Sequence, residues 1–425
     1  MGTWKASRVV LFSLAMVLGC SSKEEGGPPK CIPGSTAACL CIDGKSGVQT
    51  CNGDGSYTAC VCGGVPDADT GVASDVGADS STGDVAVPPD SGTDTEPSDS
   101  TPPTDTSTSD AGTTGVGSCA TPGDGRTNCG ASGTESCCTS LLVTGNSSAS
   151  FSRSYDGIST GFTDSKWKAQ VSSFRLDKYE VTVGRFRQYV AAVIAGWTPA
   201  AGSGKHAHLN GGLGLAGPAL GYEPGWDPTF TTATNFPTSK ATWDANLNDP
   251  SFRPTWTSVP GLNEKRPINE VTWYDAHAFC IWDGGFLPSE AEWNYAAAGG
   301  VEQRAYPWSA AYPPGSTTIS SAYAVFTGAG DAKQVGSKSP LGDGKWGQSD
   351  LAGNVHEWVL DLIKFPYNET TCTDCAFTYA PGEYNRILRG GSFGNDDVEL
   401  IVSKRFNSTP NRRSEAMGIR CARKP

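Results

Sequence analysis

The chain has 425 residues, a formal net charge of −12 and fifteen cysteines, too long for one small core and long enough for one large domain with extensions. The acidity is local. Eleven Asp and Glu residues fall between Gly63 and Gly117, no Lys or Arg lies between Lys45 and Arg126, and the remainder is near neutral, which excludes a nucleic-acid binder's basic footprint and assigns the charge to a spacer.

At the N-terminus, Lys5 and Arg8 precede the apolar run Val9 to Leu18, which is too short for a permanent bilayer span and reads as a signal peptide. The run ends in Val17-Leu18-Gly19-Cys20, which resembles a bacterial lipobox. That resemblance implies that Cys20 is lipidated and becomes the mature N-terminus; an ordinary signal peptide cut nearby is the competing reading. Several acyl chains on one cysteine would give a stable membrane anchor, and the polar stretch Ser21 to Glu25 follows as a tether.

Residues 21–62 hold that tether and Cys31, Cys39, Cys41, Cys51, Cys60 and Cys62 among several glycines. So short a stretch buries little apolar area, so disulfides are expected to staple it. Zinc is disfavoured by the C-x-C spacing and the absence of histidine. Residues 63–117 are mostly Asp, Ser, Thr, Pro, Gly, Ala and Val without an aromatic ring, a composition that cannot offset its ordering entropy and predicts an extended, disordered linker. Order is expected to resume at 118 and run to 425, beginning with a Gly-rich lead-in containing Cys119, Cys129, Cys137 and Cys138.

Within 118–425 three helices are legible. One starts at Thr182 as N-cap and places Val183, Phe186, Val190, Val193 and Trp197 at helical spacing. A second begins near Thr272, with Trp273, Ala276, Phe279 and Cys280 inward. A third opens with Ser289-x-x-Glu292, a capping box, runs through Trp293 and Ala296 and stops at Gly299-Gly300. Trp273, Trp293 and Trp358 read as core rings, and Glu290 and Glu292 as first-turn carboxylates that complement the helix dipole. So few elements in so long a domain predict irregular backbone held by aromatic packing and disulfides.

Five segments in order carry a resemblance: Phe174 to Thr182 (FRLDKYEVT), Arg266 to Trp273 (RPINEVTW), Phe286 to Trp293 (FLPSEAEW), Leu351 to Trp358 (LAGNVHEW), and Arg386 to Ser392 (RILRGGS) with Met417 to Cys421 (MGIRC). Together they resemble the formylglycine-generating, or sulfatase-modifying factor, family. The resemblance implies an α+β fold, a decorated C-type-lectin-like architecture of low regular content, and a disulfide between Cys280 and Cys421.

In active members of that family two cysteines, a few residues beyond Gly-Gly-Ser, bind copper and oxidise a substrate cysteine to formylglycine; soft thiolates suit Cu(I). Here Ser392 to Asn407 contains no cysteine, nor does any position between Cys375 and Cys421, and no histidine follows His356. Copper is therefore not expected and no residue is assigned a catalytic role. Cys372 and Cys375 form a C-x-x-C pair that reads as a local disulfide, with a redox dithiol as the alternative.

The family's calcium loop maps onto Asp350, Glu357 and the carbonyls of Gly353 and Val355, hard oxygens suited to Ca²⁺. His206-x-His208 lies in a Gly-rich loop without an evident third ligand and reads as a pair of exposed histidines; His277, on the second helix, reads as packed and hydrogen-bonded. The sequence predicts a bacterial lipoprotein of myxobacterial type, exported and lipid-anchored, with the outer membrane of a Gram-negative envelope as its expected location, facing the periplasm or the cell surface. Its domain would be a non-catalytic binding or scaffold module for an unidentified protein, peptide or glycan, with no nucleic-acid partner. An oxidase with relocated ligands is the rival reading.

Overall fold

Hydroxyl side chains start the helices of this domain. In the computed structural model, α1 (Val183–Ile194) is capped by Thr182, whose Oγ1 accepts from the Arg185 N–H at 3.2 Å. It stops before Trp197, because Gly196 takes φ +98°, so Trp197 packs from the turn beyond the helix rather than from its face. α2 (Lys240–Leu247), capped by Ser239, is a helix the sequence did not announce; Trp243 and Leu247 are its buried anchors. α3 (Trp273–Trp282) has a reciprocal capping box between Thr272 and Asp275, and α4 (Glu290–Ala297) has another between Ser289 and Glu292.

The described residues are 117–425 except 147–149, 159–162, 218–220, 310–318, 368–370, 379–381 and 383, together with 36–40, 46–50, 52, 54, 56 and 58. The chain divides into two units, Met1–Thr101 and Pro102–Pro425. In the first, Thr36–Leu40 and Ser46–Thr50 pair as an antiparallel hairpin. Cys20, the linker as far as 116 and the cysteine pairing of residues 31–62 lie outside the described residues. No helix among the described residues is long and apolar enough to cross a membrane.

In the second unit, Phe406–Ser408, Arg386–Arg389, His356–Leu362 and Met417–Gly418 form a four-stranded mixed sheet in that order. Ala422–Arg423, Phe174–Asp177 and Ser140–Val143 form an antiparallel sheet that pairs the start of the domain with its end. The main core is aromatic. Phe186 stacks on Phe279 at 5.7 Å, and Tyr189 and Trp243 meet Phe186 at 5.1 and 6.1 Å; such pairs contribute about 1 kcal/mol each beyond the area they bury. Trp273, Trp293 and Trp358 are at most 1% exposed, as core rings should be.

All eight cysteines from Cys119 onward are paired: Cys119–Cys138, Cys129–Cys137, Cys280–Cys421 and Cys372–Cys375. The third bond ties α3 to the residue before the final strand across 141 positions.

Candidate functional site

The strand Arg386–Arg389 ends at Gly390 and Gly391, with φ +91° and +72°. A Cβ at Gly391 would come within 3.0 Å of the Leu400 side chain and one at Gly390 within 3.3 Å of the Leu351 carbonyl and Trp293, so both conformation and space require glycine. Ser392 Oγ then donates to Asn395 Oδ1 at 2.7 Å, and Asn395 Nδ2 donates to Glu399 Oε2 at 2.7 Å. Leu400 and Val402 are buried beneath this polar ring. The segment thus offers amides, carboxylates and a hydroxyl, and the eight cysteines from Cys119 onward are all consumed in disulfides. These groups do not fit Cu(I), which needs soft ligands.

Beneath the same turn lies a buried knot of charge. Arg420 donates to Glu357 at 2.7 to 3.0 Å and to the carbonyls of Asp177, Lys178 and Ser349. Trp293 Nε1 donates at 2.6 Å to Glu357 Oε2, which also accepts from Arg420 Nε. Asp350 Oδ2 accepts from the Gly336 N–H at 2.6 Å, and Glu180 accepts from Asn354 Nδ2 and the Val355 N–H. Burial, with Asp350 and Glu357 close by, pushes the Glu180 carboxyl well above the usual range, and burial pushes Asp350 to about 6.

Of the expected calcium set Asp350, Gly353, Val355 and Glu357, Glu357 faces Arg420 and Trp293 with its two oxygens, so an ion would have to compete with that guanidinium. Among the described residues no group of three or more His, Cys, Asp or Glu is arranged to hold a metal.

The H-x-H motif departs from its expected exposure. His206 is fully buried, with Nδ1 3.0 Å from Glu223 Oε1 and Nε2 3.0 Å from Glu292 Oε2. Burial alone would depress its pKa; the two carboxylates outweigh that and raise it to about 10, while Glu292 is held below the usual carboxylate range. Both nitrogens face carboxylates, so His206 is an imidazolium pin rather than a zinc ligand. His208 is half-buried and stacks on Phe286 at 5.6 Å.

Glu290 and Glu292 also do more than complement a dipole. Glu290 receives a two-pronged contact from Arg405 at 2.6 and 2.7 Å and lies 2.9 Å from Arg389. His277 was expected to be hydrogen-bonded, yet neither of its buried nitrogens has a partner. Glu223, Arg405 and Arg386 stand out only in three dimensions, since each partner is distant in sequence.

A family model described as the sulfatase-modifying factor enzyme 1-like domain matches residues 140–425. The inactive C-alpha-formylglycine-generating enzyme 2 of Mus musculus is 34% identical over 176 residues, 38% of this chain and 51% of that protein. The formylglycine-generating enzyme of Streptomyces coelicolor is 32% identical over 202 residues, 41% of this chain and 63% of that protein. The chain thus spans between half and two thirds of these curated relatives. Among solved structures, PvdO from Pseudomonas aeruginosa aligns with a TM-score of 0.44 at 20% identity, covering 67% of this chain and 94% of that one.

Proposed function

The chain belongs to the family of sulfatase-modifying factor enzyme 1-like domains, and on that premise we propose that its domain is a non-catalytic binding or scaffold module, carried on a spacer by an exported protein lipid-anchored at Cys20. The observation that carries this reading is the sulfur inventory. Ser392 to Asn407 contains no cysteine, and the eight cysteines from Cys119 onward are all in disulfides. Without a thiolate pair there is nothing to hold cuprous ion, and neither carboxylate nor amide replaces it. The rigid framework persists around that emptied centre, which is what a recognition surface requires. That the mouse relative is described as inactive is compatible with a family member that keeps the fold without the oxidation. The partner class on this reading is a protein, peptide or glycan.

Aerobic incubation of the purified chain with copper and a cysteine-containing peptide tests the proposal. No aldehyde should form, whether read by mass spectrometry or by hydrazide capture. Conversion of the peptide cysteine to formylglycine would refute the reading, and its loss in a Cys372→Ser variant would locate the sulfur responsible.

A further inference from the structure

A cleft with a cavity volume of about 180 Å³ lies against α3, lined by Phe230, Trp273, His277, Leu360, Thr378 and Arg386, with Glu223 and Asp227 also in its lining. That is below the range of drug-sized pockets, roughly 300 to 1,000 Å³, and limits the occupant to a small molecule. None of its lining residues belongs to the segment after Gly391.

Two polar groups in it are incompletely matched among the described residues: Arg386 has no ion pair, and His277 has no hydrogen-bond partner. The Arg386 guanidinium stacks over Trp273 at 3.9 Å and donates to the Leu360 carbonyl at 2.7 Å. It makes no ion pair among the described residues, and Asp361 is the acid whose charge acts on it most. Burial lowers its pKa only to about 10, so it stays charged. His277 is 1% exposed, flanked by Trp226 and Trp273 at 5.3 and 5.0 Å, and both ring nitrogens are unpartnered. Burial pushes its pKa down to about 3, leaving a neutral ring with one donor and one acceptor.

The rest of the lining decides what complements these groups. An unpaired guanidinium held flat on an indole is pre-organised for a carboxylate, which it can grip with two parallel N–H groups. Phe230, Leu360 and the Trp273 edge offer apolar walls. The two acids in the lining are already engaged: Glu223 accepts from His206 and backbone N–H groups, and Asp227 from the Thr229 N–H and hydroxyl at 2.8 Å. Their charge opposes a second anionic group on the ligand.

We propose that this cleft binds a small monocarboxylate with a flat apolar body, its carboxylate on Arg386 and its body against Phe230 and Leu360, within reach of His277. The site is independent of the formylglycine question, since aldehyde formation elsewhere would leave it unchanged.

Calorimetric titration of the full chain with 3-phenylpropionate and with its uncharged amide tests it. The carboxylate should give saturable one-to-one binding, and the amide should bind roughly tenfold more weakly. Arg386→Gln should abolish that preference, and Thr378→Trp, which fills the cleft, should abolish binding of both probes. Near-ultraviolet dichroism checks each variant's fold; should Arg386→Gln fail to fold, Thr378→Trp and the amide comparison decide. Equal affinity for the two probes, no saturation below about 10 mM, or wild-type binding by Thr378→Trp overturns the proposal.

Discussion

Raising the pH from 6.5 to 9.5 should unfasten the 202–226 loop from α4, because a single imidazolium holds them together. His206 has its pKa raised from 6.5 to about 10 by Glu292 and Glu223 against the opposing effect of burial. A pKa raised by folding stabilises the native state fully below the unfolded value and loses that contribution as pH climbs through the folded value. At about 1.4 kcal/mol per unit, the contribution is about 4 kcal/mol at pH 6.5, about 2 at pH 8.5 and below 1 at pH 9.5.

The lowered pKa of Glu292 reports the same contact from its other side and is not added; it makes the contact weaken again as pH falls below the usual Glu range. Urea denaturation at four pH values, comparing the wild type with His206→Gln, measures the effect. The stability gap between the two should shrink by about 3 kcal/mol between pH 6.5 and 9.5. Parallel curves for the two proteins across that window would refute the charged-pin account.

Two further outcomes follow from other contacts. Cys280→Ala with Cys421→Ala opens a loop of 141 positions and should lower the unfolding free energy by about 4 to 5 kcal/mol, read by non-reducing calorimetry. Millimolar calcium should raise the melting temperature by less than about 2 °C, because Glu357 is committed to Arg420 and Trp293; a rise above about 5 °C would show that Glu357 leaves Arg420 for the ion.

What was legible in the sequence was local. The Thr182, Thr272 and Ser289 caps lie next to the backbone they satisfy, and they mark the starts of three helices. The ordered motifs carried the fold because each is a contiguous string. Helix α2 escaped because only Trp243 and Leu247 of its eight residues face inward, too few to set a period. The site was less legible for a different reason. His206 sits in a Gly-rich loop that reads as exposed, yet its partners lie 17 and 86 residues away. Arg405 meets Glu290 across 115 residues, and Arg386 is conspicuous only because no acid pairs with it. Charge pairing across a folded domain leaves no period or spacing to read.

The antiparallel sheet that joins Phe174–Asp177 to Ala422–Arg423 has a temporal consequence. A chain emerging residue by residue has its central strand ready early, with one edge left without a neighbour. Arg420 and Cys421, which tie Glu357 and α3, arrive after both of them. Closure must therefore wait until residues 417–423 are synthesised, so a nascent chain of this domain stays open, and a truncation before Met417 would strand Glu357 and Cys280 together.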